Sequence, residues 1–174
     1  PSSDHRPAAT ALTITVADPD PDAACEAIAM IRQVTDGLGF VTEVESVNAL
    51  EAWPKPDQGI WEARGEPQHY VSSKLMIWVA VDRGARLAAE FGRRDFADQL
   101  RKKAEEIKAE IIEKGLKDGV FRQHYDTDAL DASVLLMPLV RFLPPDDPRI
   151  RDTVLAIRDG LDDQGLILRY ITDE

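Results

Sequence analysis

A single cysteine, Cys25, stands in the 174 residues. That excludes an intrachain disulfide framework and makes a reducing cytoplasm the expected compartment. With no activating group near it in sequence, Cys25 reads as a small core residue. Histidine is scarce too, at three residues, and neither His5 nor His124 sits in a metal-ligand pattern, so no metal is expected. Positive charge is in deficit: 21 Lys and Arg face 32 Asp and Glu, a net charge of −11. Nucleic acid or an anionic membrane would repel such a chain, so neither is an expected partner. No stretch approaches the about 18 apolar residues of a membrane span, and the N-terminus lacks a basic-then-apolar signal pattern. A Gly-rich phosphate loop, a serine nucleophile elbow and a dinucleotide fingerprint are all missing, and no cofactor is expected.

What is present is helical patterning. Residues 1–11 read as a disordered lead, and "LTITV" (12–16) as a short strand. Asp20 or Asp22 then caps a helix with Ala24, Ile28 and Ile31 on one face, closed by Gly37 and Gly39. A shorter apolar piece at 41–53 stops at Pro54-Lys55-Pro56. Met76, Ala80, Gly84, Leu87 and Phe91 recur at helical spacing, and 75–81 is apolar without a break, which predicts a helix buried on most sides. Phe96, Leu100, Ala104, Ile107 and Ile111 form the next stripe, opposite a charged, solvated face. A further helix is expected from an Asp128 cap through Leu130, Val134 and Met137, with Asp131 in its first turn and Pro138 as a kink. The last has Asp147 as N-cap, Pro148 at the first helical position, and Ile150, Val154, Ile157 and Leu161 inward, with Gly160 near its end. Lys74 is expected to pair with Glu66 or Asp82 at surface strength.

Between these helices one turn plan recurs. Asp57-Gln58-Gly59-Ile60-Trp61-Glu62, Asp118-Gly119-Val120-Phe121-Arg122-Gln123 and Asp163-Gln164-Gly165-Leu166-Ile167-Leu168-Arg169 each place a Gly turn before two apolar residues. Polar residues follow. The spacings are too unequal for a strict solenoid. Two readings stay open: repeated helix pairs whose loops converge on one end, or ordinary Asp-Gly punctuation. Within the plan, Glu62 beside Trp61 is the sharpest feature. A carboxyl packed on an indole would lose water, favouring its protonated form, and could pass a proton to a leaving oxygen. The indole would offer a platform for the apolar face of a sugar ring.

Three blocks carry a family resemblance: "PDQGIWEARGEPQHYVSSKLMIWVAVDRGARLA", "GVFRQHYDTDALDASVLLMPLVRFLPPDDPRI" and "DQGLILRY". In this order they resemble glycoside hydrolase family 15, which includes glucoamylases and bacterial trehalases, the latter being nearer in the G-I-W-E-x-R-G-E-P-x-H stretch. The resemblance covers 46–174; residues 1–45 are not matched and form a separate N-terminal segment. It implies an all-α fold, part of an (α/α)6 toroid of helix pairs with short β-like loops at one end. It also implies an inverting hydrolysis of an α-glucoside such as trehalose or a short α-glucan, run by one carboxylic acid and one carboxylate base.

On that resemblance Glu62 matches the general acid, Trp61 the aromatic at the cleavage subsite, and Arg169 the arginine that forks onto sugar hydroxyls. Arg64, His69 and Gln123 lie on loops that approach the sugar and are further binding candidates. Ala63 replaces a second Glu found in fungal glucoamylases, which turns the expected substrate toward trehalose. The family's Trp-x-Arg-Asp loop is absent, and its base lies on a loop beyond Glu174, so the chain is expected to be the central part of an enzyme. Asp126, Asp128 and Asp131 do not match the base motif. A non-catalytic carbohydrate-binding or assembly module on the same fold is the alternative. Homo-oligomerisation or further chain segments would cover exposed helix faces.

Overall fold

The computed structural model describes residues 46–171. The lead at 1–11, the strand at 12–16, the helix carrying Ala24, Ile28 and Ile31, and Cys25 lie outside the described residues.

Helix α1, Ser46–Ala52, ends just before the Pro54 and Pro56 pair, as proline without an N–H requires. Helices α2, Val71–Glu90, and α3, Arg94–Gly115, form the scaffold. Only Phe91, Gly92 and Arg93 join them, with Gly92 at φ +69° turning the chain. The start of α2 lies against the end of α3. A Cβ built on Gly115 would come within 2.9 Å of Val71 Cγ2, so the two helices run antiparallel at close approach.

The α3 stripe is as the spacing predicts, with Leu100, Ala104, Ile107 and Ile111 buried. On α2 the predicted Gly84 and Leu87 are buried, but the rest of the inward face is Val71, Lys74, Leu75, Trp78, Val81, Ala85 and Ala88. Met76 and Phe91 from the predicted stripe are 47% and 41% exposed. An unbroken apolar run has no internal phase, so periodicity could not choose its inward side. Each large side chain fully buried in this core contributes about 1.5–3 kcal/mol.

Two hairpins follow. Strand β1, Leu116–Lys117, pairs with β2, Val120–Phe121, around Asp118 and Gly119 at φ +51° and +79°. Between them is the two-residue loop whose paired left-handed residues match strand twist. The other hairpin, described below, has the same plan. Beyond β2, a 3-10 turn at Ala132–Leu135 runs into the short helix α4, Leu136–Leu139. The expected Asp128 cap is not there: Asp128 is exposed, and Asp131 caps the turn by accepting from Ser133 N at 2.7 Å. Pro138 is the penultimate residue of α4 instead of the kink of a longer helix.

Helix α5, Pro148–Gly160, has the expected cap and proline. Ile150, Ile157 and Leu161 are buried, but Val154 is 42% exposed and Thr153 faces inward. The reason is polar. Thr153 Oγ1 accepts from Phe121 N at 3.0 Å and donates to Arg149 O at 2.7 Å, satisfying a backbone N–H that valine would leave unpaired. From α5 the chain enters β3, Asp162–Asp163, and β4, Leu166–Ile167, joined by Gln164 and Gly165 at φ +55° and +86°.

Asp147 makes the α5 cap testable. Hydrogen bonding from the Arg149 side chain holds its carboxyl down at about 2, against an ordinary value of 3.8. A depressed carboxylate contributes stability that is complete above pH 3.8 and fades as pH falls through 2. Asp147→Ala is expected to cost about 1 kcal/mol at neutral pH. Urea midpoints of variant and parent should converge as pH approaches 2.

Candidate functional site

The segment Asp57–Gln68 is a compact loop closed at its neck. Asp57 N donates to Gln68 O at 2.9 Å and Gln68 N returns to Asp57 O at 2.8 Å. The Asp57 carboxylate turns the loop inward by accepting from Gly59 N and Ser73 Oγ, both at 2.6 Å. Gln58 Nε2 crosses to Gly65 O at 3.2 Å. A loop that closes on itself in this way is held by its own polar groups.

Helix α2 grips the approach to that loop. Lys74, fully buried, donates Nζ to Trp53 O at 2.7 Å and Lys55 O at 2.5 Å. The expected pairing with Glu66 or Asp82 is replaced by these carbonyls, because the loop neck lies over the first turn of α2. Burial pushes the Lys74 ammonium below its usual value, while Asp57 and Glu110 act in the opposite sense.

Gly59, at φ +69°, lies flat on the Tyr70 ring. Tyr70 is itself buried and meets His124 edge-on at 5.6 Å. Burial, followed by the charges of Asp57, Tyr170 and Asp131, raises the Tyr70 hydroxyl above its usual range. Burial also lowers the His124 imidazole, whose Nδ1 accepts from Asp126 N at 3.3 Å.

At the far side of the loop Trp61 reaches across the chain. Its Nε1–H donates to Asp131 Oδ1 at 3.0 Å and Oδ2 at 3.2 Å. Gln123 Nε2 donates to the same carboxylate at 3.3 Å. The Arg169 guanidinium sits over the indole, 5.4 Å from its centroid, and beside the Tyr170 ring at 5.7 Å. Such a cation over an aromatic face is attracted by the ring quadrupole. Arg169 O also accepts from Ala132 N at 2.8 Å. The three loops of the recurring turn plan do converge here, around Asp131.

Three of the six candidates, Trp61, Gln123 and Arg169, therefore meet at one point. His69 is half-buried and stacks on Tyr125 at 5.7 Å. Arg64 is exposed on the loop. Glu62 is exposed too, with its backbone at φ +52°. The desolvation expected from the neighbouring indole is not found, since Trp61 turns its N–H to Asp131 and its face to Arg169. Asp131 is the residue that sequence reasoning undervalued. Sequence reasoning took it as a first-turn charge favouring the helix dipole, whereas it is 1% exposed and accepts from Trp61, Gln123 and Ser133. Among the described residues no group of three His, Cys, Asp or Glu could hold a metal ion, and no helix is long and apolar enough to cross a membrane.

An all-α scaffold of paired helices with hairpin loops gathered at one end is the class this geometry defines. The sequence model of glycosyl hydrolases family 15 matches residues 25–174, and the chain belongs to that family. The match starts well ahead of residue 46, where the motif resemblance begins. Over 144 residues the chain is 55% identical to a trehalase of Mycobacterium tuberculosis and 54% to one of Mycolicibacterium smegmatis, covering 82% of this chain in both. A Sulfolobus acidocaldarius protein described as trehalase 2 is 37% identical over the same length. The chain spans 21%, 22% and 25% of these three relatives. In fold it is similar to a wild-type glycosidase structure, with TM-score 0.61 and 24% identity over 70% of this chain and 32% of that one. A glycosidase variant in complex with glucose gives the same values.

Proposed function

We propose that this chain is the acid-bearing segment of an inverting glycoside hydrolase that cleaves an α-glucoside, with trehalose as the first candidate and short α-glucans next. Glu62 is the general acid, protonating the departing glycosidic oxygen. Trp61 provides the platform for the sugar ring, and Arg169, Gln123, Arg64 and His69 hold hydroxyls. The observation that carries this reading is the Trp61 indole, tethered by its N–H edge and stacked under Arg169, with the exposed Glu62 as its chain neighbour. Sugar rings bind to an immobilised aromatic face, and an arginine fork bridges adjacent hydroxyls. The relatives named as trehalases support trehalose over starch ends.

Inversion needs a second carboxylate about 6.5–9.5 Å from the acid, with water between. Asp131 does not suit that role. Oδ1 already accepts from Ser133 N and Trp61, and Oδ2 from Trp61 and Gln123, leaving little capacity to activate water. The base in this proposal comes from outside the described residues.

Tryptophan emission and free glucose, followed separately in an enzyme of family length carrying this segment, test the reading with trehalose, maltose and maltotriose. Trehalose is expected to shift the emission and to release glucose, half of it first appearing as the β anomer. Binding without glucose would mean a carbohydrate-binding module; release of the α anomer alone would rule out inversion.

A further inference from the structure

We infer that Asp131 is a positioning residue: its buried carboxylate sets the orientation of Trp61 and, through it, the seat of Arg169. Only its meaning for catalysis rests on the hydrolase reading above; the geometric claim stands by itself.

Asp131 is 1% exposed, and every hydrogen bond recorded to its carboxylate comes from a neutral donor: Ser133 N, Trp61 Nε1–H and Gln123 Nε2. A buried carboxylate is tolerated only when its lone pairs are filled. Filling them fixes the donors in turn. The Ser133 contact belongs to the backbone of the helical turn that Asp131 caps, so it anchors the carboxylate to the scaffold. The Trp61 contact is different, because Trp61 lies 70 residues away on a loop of its own. With both oxygens within 3.2 Å of Nε1, the carboxylate can hold the indole plane against rotation about the side-chain torsions.

Arg169 completes the arrangement. The indole carries an anion at its N–H edge and a guanidinium over its face. A hydrogen bond to a carboxylate pushes electron density into the ring, and the richer π face attracts the cation more strongly. The backbone agrees with the side chains, since the residue after Asp131 donates its N–H to Arg169 O. One carboxylate therefore couples the Trp61–Glu62 loop to the β4 exit that carries Arg169. Gln123 is drawn into the same coupling by its side-chain amide.

Hydrogen exchange of the indole N–H protons, read by nitrogen-resolved NMR on the 174-residue chain, tests this. Trp78, on α2, is buried in the core against Phe142, and its indole serves as a folding control in the same spectrum. Asp131→Asn places an amide N–H₂ where one acceptor oxygen stood. It is expected to speed Trp61 indole exchange at least tenfold, the equivalent of about 1.4 kcal/mol, with Trp78 unchanged, and to shift the Arg169 side-chain protons out of the indole ring current. Unchanged Trp61 exchange with an intact Trp78 signal overturns the inference. If Asp131→Asn does not fold, the parent decides: its Trp61 indole N–H should exchange at least about tenfold more slowly than a free indole, and exchange at the free rate would overturn the inference. In an enzyme of family length, Asp131→Asn should raise KM more than it lowers kcat, since the side chains it seats are proposed to hold the ground state. A wild-type rate in a Glu62→Gln enzyme would remove the acid assignment but leave the exchange result standing, so the two failures are distinguishable.

Discussion

A Glu62→Gln enzyme is expected to lose about 10²–10⁴-fold in kcat on trehalose while binding the sugar nearly as well as its parent. The amide is the same size as the carboxyl and sits on the same loop, whose fold rests on Asp57, Gln58 and Gln68. It can donate a hydrogen bond but cannot release a proton to a departing alkoxide, so only the transition state suffers. The groups proposed to hold the ground state, Trp61, Gln123 and Arg169, are tied to Asp131 or to one another and not to the Glu62 side chain. Measuring glucose release at saturating trehalose, with affinity read from tryptophan emission, separates the two effects. A rate near that of the parent would mean that another group is the acid.

Gly59→Ala is expected to destabilise the chain by about 2–5 kcal/mol. Two costs combine. At φ +69° an L-residue is strained by about 1–2 kcal/mol. The added Cβ would also lie 2.9 Å from both Cγ and Cδ1 of Tyr70 and 3.1 Å from Cδ2, and overpacking of this kind costs about 1–3 kcal/mol. The Tyr70 ring has little room to retreat, being buried with His124 against its edge. Gly119→Ala supplies the control. It has a similar φ of +79° but meets nothing within 4 Å, so it carries the backbone strain alone. Urea unfolding of the two variants should show Gly59→Ala costing clearly more. Equal losses would show that the ring contact does not hold the loop. The same variant should weaken trehalose binding, since Gly59 and Trp61 belong to one closed loop.

Local features were legible before any coordinates. The α3 stripe could be read because charge on one face and apolar residues on the other leave a single way to bury it. Asp147 and Pro148 announced α5, since cap and first-turn chemistry act within a few residues. The turn plan around Asp118-Gly119 and Gln164-Gly165 was visible as well, although its outcome as paired hairpins was not. Where a run was apolar without a break, as at 75–81 in α2, the stripe took in Met76 and Phe91, which are exposed, beside Gly84 and Leu87, which are buried, and left out Lys74. Lys74 could not have been assigned from sequence at all: a buried ammonium is stable only because the carbonyls of Trp53 and Lys55 happen to meet it.

The site divides in the same way. Glu62, Trp61 and Arg169 were marked as candidates by residue type and by resemblance to a family, and the chain does belong to that family. Asp131 was passed over as a first-turn charge. Its partners lie 2, 8 and 70 residues away, and only the nearest of these is within the reach of a local rule.

By itself the amino-acid order determined a mainly helical content, the ends of its best-capped helices, and the loops on which polar chemistry would sit, because periodicity, capping and turn preference are properties of neighbouring residues. The pairing of the helices was implied by the family resemblance. The tertiary structure alone decided which side of α2 faces inward, that Lys74 is buried among carbonyls, and that one carboxylate gathers Trp61, Gln123 and the Arg169 loop. Those outcomes depend on which distant groups are desolvated together, and desolvation is settled only when the helices pack.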